Sequence, residues 1–364
     1  MPTPARVVVV PGEPGPLQIH EVNLPDPGPH QVVVKQFASG VCHSQLHQMH
    51  RPRNGAAQVL GHESTGVVMK KGSAVTHVKE GDRVMVTWVR RDAASSTRAP
   101  ESAAIELGNG VIARGNVFTW ADITIADEQY IVAMPSDVRT DVTAIIGCAV
   151  MTGAGAVYHT AGVQKGQSVA VFGVGGVGLS AIAAAAVIGA NPIIAVDLDD
   201  TKLDFARKFG ATHGVNAKET DAIAEIGKLT LDETESNLLG RPVQGVDFAF
   251  DCIGVPKTME QILGAARSGS TAKFPGGTAV LVGVPQTDVT LSARDILMNE
   301  KKYIGSLAGS CNPERDFPMF LRWYKEGDLD LDALVTQRYR LDDINEATTA
   351  LERGQIFGRA IMEF

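Results

Sequence analysis

The stretch SVAVFGVGGVGLSAIAAAAVIGANPIIAVD, residues 168–197, decides the fold of this chain. An apolar run leads into the glycine turn Gly173–Gly178, which is followed by an alanine-rich segment and a second apolar run that ends at Asp197. A strand, a glycine turn, a helix and a second strand in this order predict a parallel βαβ unit. The glycines and Asn191-Pro192 interrupt the uncharged stretch, which argues against a membrane-spanning helix.

The glycine turn fits the pattern G-x-G-x-x-G through Gly173, Gly175 and Gly178. The first glycine allows a tight turn, the second lets the backbone approach a diphosphate, and the third permits close packing of helix on strand. Asp197 lies 19 residues after Gly178, where a carboxylate can accept from both ribose hydroxyls and repel a 2′-phosphate. The pattern predicts an NAD site, with Lys202 as a second ribose contact. The alternative is a glycine turn without a ligand.

The segments around this unit differ in pattern. Up to about residue 145, short β-type runs alternate with Gly and Pro, which is typical of a β-rich domain. From about 166 to 285, strands alternate with helical segments, which predicts a doubly wound parallel sheet. The polar segment at about 90–110 lacks either hydrophobic period, so we expect an exposed lobe or loop there. The fold class is therefore α/β.

Composition excludes several classes of protein. The chain has 364 residues, of which 44% are hydrophobic and 20% charged, as in an ordinary globular protein rather than a disordered one. A net charge of −8 argues against non-specific binding to nucleic acid or anionic membranes. The four cysteines are widely spaced, and the N-terminal residues lack a secretory signal pattern, so we expect a reducing, cytoplasmic location.

Four residues carry side chains that zinc prefers. Cys42 lies in GVCHSQLH, His62 and Glu63 lie in GHESTG, and Cys148 lies in GCAVMTG. Three protein ligands with an open position are typical of a catalytic zinc site. Spacing alone is weak evidence, because isolated cysteines are often buried as small apolar side chains.

Together these motifs resemble the zinc-dependent medium-chain alcohol dehydrogenase family over essentially the whole chain. The resemblance also rests on GDRV, VDLDDTKLDFARKFGAT and VGVP. It implies a GroES-like catalytic domain of residues 1–149 and 309–364, a Rossmann domain of residues 150–308 that binds NAD, and an active site in the cleft between them.

The resemblance also implies a role for individual residues. Zinc would be bound by Cys42, His62 and Cys148, with Glu63 beside it as a transient ligand or supporting carboxylate. The catalytic and substrate-binding residues would be Ser44, which contacts the alcohol oxygen, His47, which passes the proton towards solvent, and Trp88, which forms a wall of the substrate pocket. The cofactor would be held by His43, Thr152, Gly173, Gly175, Gly176, Val177, Gly178, Asp197, Lys202, Val282, Ser306, Ala308 and Arg359. Three alternatives remain: His43 as a solvated histidine, Ser44 as a helix N-cap, and Trp88 as ordinary core.

The chain departs from the family pattern at two places. Many members carry four closely spaced cysteines that bind a structural zinc, but residues 90–115 contain no cysteine here. We therefore expect one catalytic zinc per subunit and no structural zinc. Gln45 stands where members commonly have an Asp that accepts the free N–H of the zinc-bound histidine, and a neutral acceptor would make that imidazole less basic.

The expected function is NAD-dependent hydride transfer between a primary or secondary alcohol and its aldehyde or ketone. One alternative is a dehydrogenase for an S-hydroxymethyl type thiol adduct, and another is a zinc-free quinone or enone reductase of the same superfamily. A non-catalytic NAD-binding protein is a third. We expect a small-molecule substrate, no nucleic-acid or membrane partner, and a homodimer or homotetramer. The segment TAVLVGVPQTDVTL, residues 278–291, is a candidate sheet edge for subunit contact.

Overall fold

The computed structural model describes residues 2–51, 55–92, 97–108, 110–270 and 274–364. Backbone contacts divide the chain into a first unit, Met1–Ala149 with Asn312–Phe364, and a second unit, Val150–Cys311. The catalytic and NAD-binding roles expected for two such domains stay predictions. None of the helices in the described part of the chain has the length and apolarity needed to cross a bilayer.

The elements are numbered in chain order. The N-terminal part contains β1 (Thr3–Val10), β2 (Gln18–Leu24), β3 (Gln31–Val41), α1 (His43–Met49), β4 (Gln58–Val59), β5 (Glu63–Lys71), β6 (Arg83–Thr87), β7 (Ala103–Glu106), β8 (Ile112–Gly115), β9 (Ile123–Asp127) and β10 (Ile131–Ala133). Next come α2 (Ala149–Gly155), β11 (Val169–Phe172), α3 (Gly176–Ile188), β12 (Ile193–Asp197), α4 (Asp200–Arg207), β13 (His213–Asn216), α5 (Ala222–Leu229), β14 (Asp232–Ser236), β15 (Pro242–Val243), β16 (Phe248–Asp251), α6 (Pro256–Ala265), β17 (Thr278–Leu281), α7 (Ala293–Met298) and β18 (Lys302–Gly305). The C-terminal part contains α8 (Pro313–Glu326), α9 (Leu331–Leu334), β19 (Val335–Arg340), α10 (Ile344–Glu352) and β20 (Arg359–Glu363).

The described residues of the first unit form two sheets. One has the order β2-β1-β4-β8-β7, and the other has the order β10-β6-β5-β3-β20-β19, with β9 also paired to β3. Strand β3 is buried along most of its length because β5 covers one edge and β9 and β20 cover the other. The C-terminal strand β20 thus completes a sheet that the N-terminal part begins.

The second unit is built on a six-stranded parallel sheet in the order β13-β12-β11-β16-β17-β18. Helix α3 starts in the glycine turn after β11, and its small alanine side chains let it lie buried against the sheet. A Cβ at Gly178 would lie 1.8 Å from the carbonyl oxygen of Gly173, so only glycine permits this turn. The predicted α/β class, with a β-rich domain and a Rossmann sheet, is confirmed.

The structure corrects two expectations about segments: the exposed loop at about 90–110 and the sheet edge at 278–291. The part of residues 90–110 that the structure describes contains β7, which pairs with β8 in a hairpin, while residues 93–96 and 109 lie outside the described residues. Ala103 and Ile105 point inward into the core with Phe118, a short alternation that the polar neighbours conceal. Strand β17 is not a sheet edge, because it pairs with β16 on one side and β18 on the other; β18 is the edge.

Candidate metal centre and dinucleotide turn

The four predicted metal-binding residues meet in the first unit. Cys42 follows β3, His62 precedes β5, Glu63 is the first residue of β5, and Cys148 follows a 3-10 helix of residues 142–147. One donor atom from each residue lies within 4.8 Å of all the others. Residues separated by more than a hundred positions in sequence therefore form one compact donor cluster.

The two thiols of this cluster are adjacent and buried. The Sγ atoms of Cys42 and Cys148 lie 3.8 Å apart. The neighbouring Cys148 thiol, together with the charges of Arg359 and His62, outweighs the effect of burial and holds the pKa of the Cys42 thiol well below its usual value. A lowered pKa favours the thiolate, which is the form that binds metal ions.

The residues present fit a zinc ion. Nε2 of His62 is buried and has no hydrogen-bond partner in the described part of the chain, although buried polar atoms are normally paired. Two thiolates, an imidazole nitrogen and a nearby carboxylate are the donor set that zinc takes in catalytic sites. A zinc ion would be held by Cys42, His62 and Cys148, with Glu63 adjacent.

Glu63 forms a buried ion pair with Arg359 of β20. The Glu63 side chain is 0% exposed and that of Arg359 is 6% exposed. A Cβ at position 40 would lie 2.4 Å from Oε1 of Glu63, so Gly40 makes room for the carboxylate. The structure therefore places Arg359 against the metal centre, whereas the resemblance assigned it to the cofactor diphosphate. The diphosphate contact stays a prediction.

Gln45 does not act as the expected acceptor for His62. Its Oε1 accepts from the backbone N–H of Cys42 at 3.5 Å, and its Nε2 is buried without a partner among the described residues. No hydrogen bond joins Gln45 to His62 in the part of the chain that the structure describes. Because Gln45 lies on the first turn of α1, its amide caps that turn beside the metal ligand instead.

Helix α1 carries the predicted proton-transfer residues. The hydroxyl of Ser44 donates to Sγ of Cys42 at 3.3 Å, and Cys42 is the N-cap of the helix, so the alternative of Ser44 as the N-cap is wrong. His47 lies three residues further and therefore on the same face as Ser44. The rings of His43 and His47 are 5.5 Å apart. Partial burial and the proximity of His47 lower the pKa of His43.

Trp88 lies beside the predicted metal site. Its ring centroid is 6.4 Å from that of His62, in an edge-to-face arrangement. The indole Nε1 is buried and has no hydrogen-bond partner among the residues that the structure describes. The position next to His62 favours a pocket wall over ordinary core for Trp88, and this role stays a prediction.

Three buried hydroxyls next to the ligands were not found from the sequence. Ser39 Oγ donates to the carbonyl of Glu63 at 3.1 Å, and Thr119 Oγ1 donates to the same carbonyl at 3.3 Å. Thr87 Oγ1 donates to the carbonyl of Gly147 at 2.7 Å. The only signal in the sequence is a polar residue inside or beside an apolar β-type run, which is common in strands.

The second unit contains the predicted dinucleotide turn. Gly173 follows β11, and Gly175, Gly176 and Val177 lead into α3. Asp197 ends β12, and its carboxylate accepts from the N–H of Val174 at 3.0 Å. The carboxylate is therefore fixed beside the glycine turn, at the carboxyl edge of the parallel sheet where nucleotides bind in this fold.

The other predicted cofactor residues of this unit lie on neighbouring elements. Thr152 lies on α2 and Lys202 on α4, while Val282 follows β17 and Ser306 follows β18. The N–H groups of Val282 and Ser306 are used by the carbonyls of Asp251 and Leu281, which leaves their own carbonyls as the groups to offer a carboxamide. Ala308 lies in a left-handed conformation, with φ 53°. These assignments stay predictions.

Comparisons with known proteins agree with this geometry. Residues 28–136 match the family model described as alcohol dehydrogenase GroES-like domain, and residues 176–326 match the model described as zinc-binding dehydrogenase. The chain is 31% identical to an alcohol dehydrogenase class-3 of Cereibacter sphaeroides, over 98% of both chains. It is also 31% identical to an S-(hydroxymethyl)glutathione dehydrogenase of Paracoccus denitrificans, again over 98% of both.

Among solved structures, the chain is similar to the benzyl alcohol dehydrogenase of Acinetobacter calcoaceticus, with 27% identity and a TM-score of 0.82 over 100% of this chain and 99% of that one. The protein belongs to the zinc-dependent medium-chain alcohol dehydrogenase superfamily. It is an oxidoreductase of the zinc-type alcohol dehydrogenase family, as its motifs predicted.

Proposed function

We propose that the protein is an NAD-dependent dehydrogenase that moves hydride between a primary or secondary alcohol and the cofactor, using one catalytic zinc per chain. The observation that carries this proposal is the donor cluster of Cys42, His62, Glu63 and Cys148. Zinc held there would supply Lewis-acid chemistry towards an alcohol or carbonyl oxygen, and bound NAD would supply the hydride chemistry.

Residues of α1 move the proton. Ser44 lies next to a ligand sulfur, so its half-buried hydroxyl is within reach of a substrate oxygen at the metal. His47 lies on the same face of the helix and is itself partly exposed, so it can pass the proton from Ser44 towards solvent. Trp88 shapes the pocket beside His62 and excludes water from the reacting atoms.

Asp197 supports the preference for NAD. Its carboxylate is held by the N–H of Val174 at 3.0 Å and by the N–H of Leu198 at 2.7 Å. These two contacts fix the carboxylate in place, so its negative charge faces the ribose end of the site. A 2′-phosphate at that position would be repelled.

A second candidate is a dehydrogenase for an S-hydroxymethyl thiol adduct. The 31% identical relative from Paracoccus denitrificans carries that activity in its name. The chemistry of the metal and cofactor would be the same, and only the pocket would differ. Comparing kcat/KM for such an adduct with kcat/KM for primary, secondary and aromatic alcohols decides between the two.

The test of the proposal combines metal content with NADH formation. Cys148→Ala should lose zinc and turnover, because it removes one of three ligands. Cys252→Ala is the matched control, since it removes a thiol outside the donor cluster and should leave the zinc content unchanged. Hydride transfer without zinc would favour the zinc-free reductase. Zinc with no turnover on any alcohol or adduct would argue against an enzyme.

A further inference from the structure

Thr87 connects two segments of the metal centre through one buried hydroxyl. It is the last residue of β6 and is 0% exposed. Its Oγ1 donates to the carbonyl of Gly147 at 2.7 Å and accepts from the N–H of Val89 at 3.4 Å. Gly147 immediately precedes Cys148, and Val89 immediately follows Trp88. One side chain therefore bonds the backbone next to a metal ligand and the backbone next to a pocket wall.

Cys148 lies at an interruption of the helical structure, between a 3-10 helix and α2, with φ −143° and ψ −69°. Position 147 is also crowded, since a Cβ there would lie 2.9 Å from the carbonyl of Val86 and 3.2 Å from Cβ of Glu63. The hydrogen bond from Thr87 is made to the carbonyl of the peptide that joins Gly147 to Cys148.

We propose that Thr87 is a positioning residue of the metal centre, which holds Cys148 in ligand geometry and keeps the Trp88 segment in register with it. The inference rests on the proposed function, because it requires that Cys148 binds the metal. Thr87 itself contacts neither metal nor substrate. Its effect reaches the site through the carbonyl of Gly147 and the N–H of Val89.

The test measures metal affinity rather than turnover. Zinc affinity of the full-length protein is measured by competition with a chromogenic chelator, and the visible spectrum of the cobalt-substituted protein reports thiolate ligation. Thr87→Val removes the hydroxyl at nearly constant side-chain volume. If the valine variant fails to fold, Thr87→Ala removes the hydroxyl with a smaller side chain. Thr87→Ser keeps the hydroxyl. Thr124→Val is the matched control, because Thr124 is also 0% exposed and donates to a backbone carbonyl, that of Phe118.

We expect zinc affinity to fall about tenfold in Thr87→Val and Thr87→Ala, with an altered cobalt–thiolate band, as for other groups that orient metal ligands. Thr87→Ser should stay within about twofold of the parent protein, and Thr124→Val should keep parent affinity even if it lowers stability. If Thr87→Val and Thr87→Ala keep the zinc affinity of the parent protein, or if Thr124→Val loses as much zinc affinity as they do, the role of Thr87 is overturned. Either outcome leaves the proposed function standing. Absence of zinc binding by the parent protein overturns the proposed function as well.

Discussion

Replacing Arg359 by methionine should destabilise the first unit strongly, because it leaves the Glu63 carboxylate buried without its cation. Glu63 is 0% exposed and Arg359 is 6% exposed at the side chain, so water cannot replace the lost partner. Removing one member of a buried pair costs about 3–5 kcal/mol, whereas the loss of an exposed pair costs about 0–1 kcal/mol. We therefore expect a loss of about 4 kcal/mol at neutral pH, a large part of a typical stability of about 5–15 kcal/mol.

The matched control is Arg338→Met on the neighbouring strand β19. Arg338 pairs with Asp141 and Glu363, but its side chain is 39% exposed. Its replacement should cost no more than about 1 kcal/mol.

Urea denaturation of the zinc-free proteins, followed by circular dichroism, measures both variants. Adding Glu63→Leu to Arg359→Met should restore a large part of the lost stability, because no buried charge remains. Equal losses of unfolding free energy in Arg359→Met and Arg338→Met would refute the assignment of a buried pair. So would a double variant whose loss equals the sum of the losses in Arg359→Met and Glu63→Leu.

Three further predictions concern pH, cofactor and proton transfer. Burial opposes ionisation of Asp141, but hydrogen bonds from Arg139, the backbone of Val142 and Arg338 outweigh it and hold the pKa of Asp141 at about 2. The ionised carboxylate therefore contributes about 1 kcal/mol to stability, after reduction for solvent screening, and this contribution is present above about pH 4 and lost as the pH falls through about 2. Asp141→Asn should therefore flatten the acid limb of a stability curve between these values. Asp197→Asn should raise kcat/KM for NADP relative to NAD by about tenfold or more, measured as NAD(P)H absorbance, and an unchanged ratio would remove Asp197 from cofactor selection. His47→Gln should lower alcohol oxidation by about 100-fold near neutral pH and less at alkaline pH, and a pH–rate profile like that of the parent would exclude His47 from proton transfer.

The Rossmann sheet could be predicted because its signals are local. The glycine turn, the alanine-rich helix and the position of Asp197 all lie within residues 168–197, and each requires a specific backbone geometry. The hairpin of β7 and β8 was missed because each strand has only four residues and the alternation of Ala103 and Ile105 is too short to stand out. The sheet edge was placed at β17 because β17 is the more apolar of the two strands. Strand β18 is less apolar and more exposed, as expected for a strand at the edge of a sheet.

The metal centre could be predicted only through the resemblance. Cys42 and Cys148 are far apart in the chain, and no spacing rule brings them together. Glu63 and Arg359 are 296 residues apart, so a single sequence carries no sign of their ion pair. The sequence left the partner of Gln45 open, because a flexible amide can bond either to a ligand ring or to its own helix turn, and only the packed structure decides between them.

The most direct test of the account is the zinc content of the purified protein, measured by mass spectrometry. The donor cluster of Cys42, His62 and Cys148 predicts about one zinc per chain, since these three side chains make one site with an open position. A content below about 0.1 zinc per chain after growth with excess zinc would contradict the proposed catalytic site at this cluster.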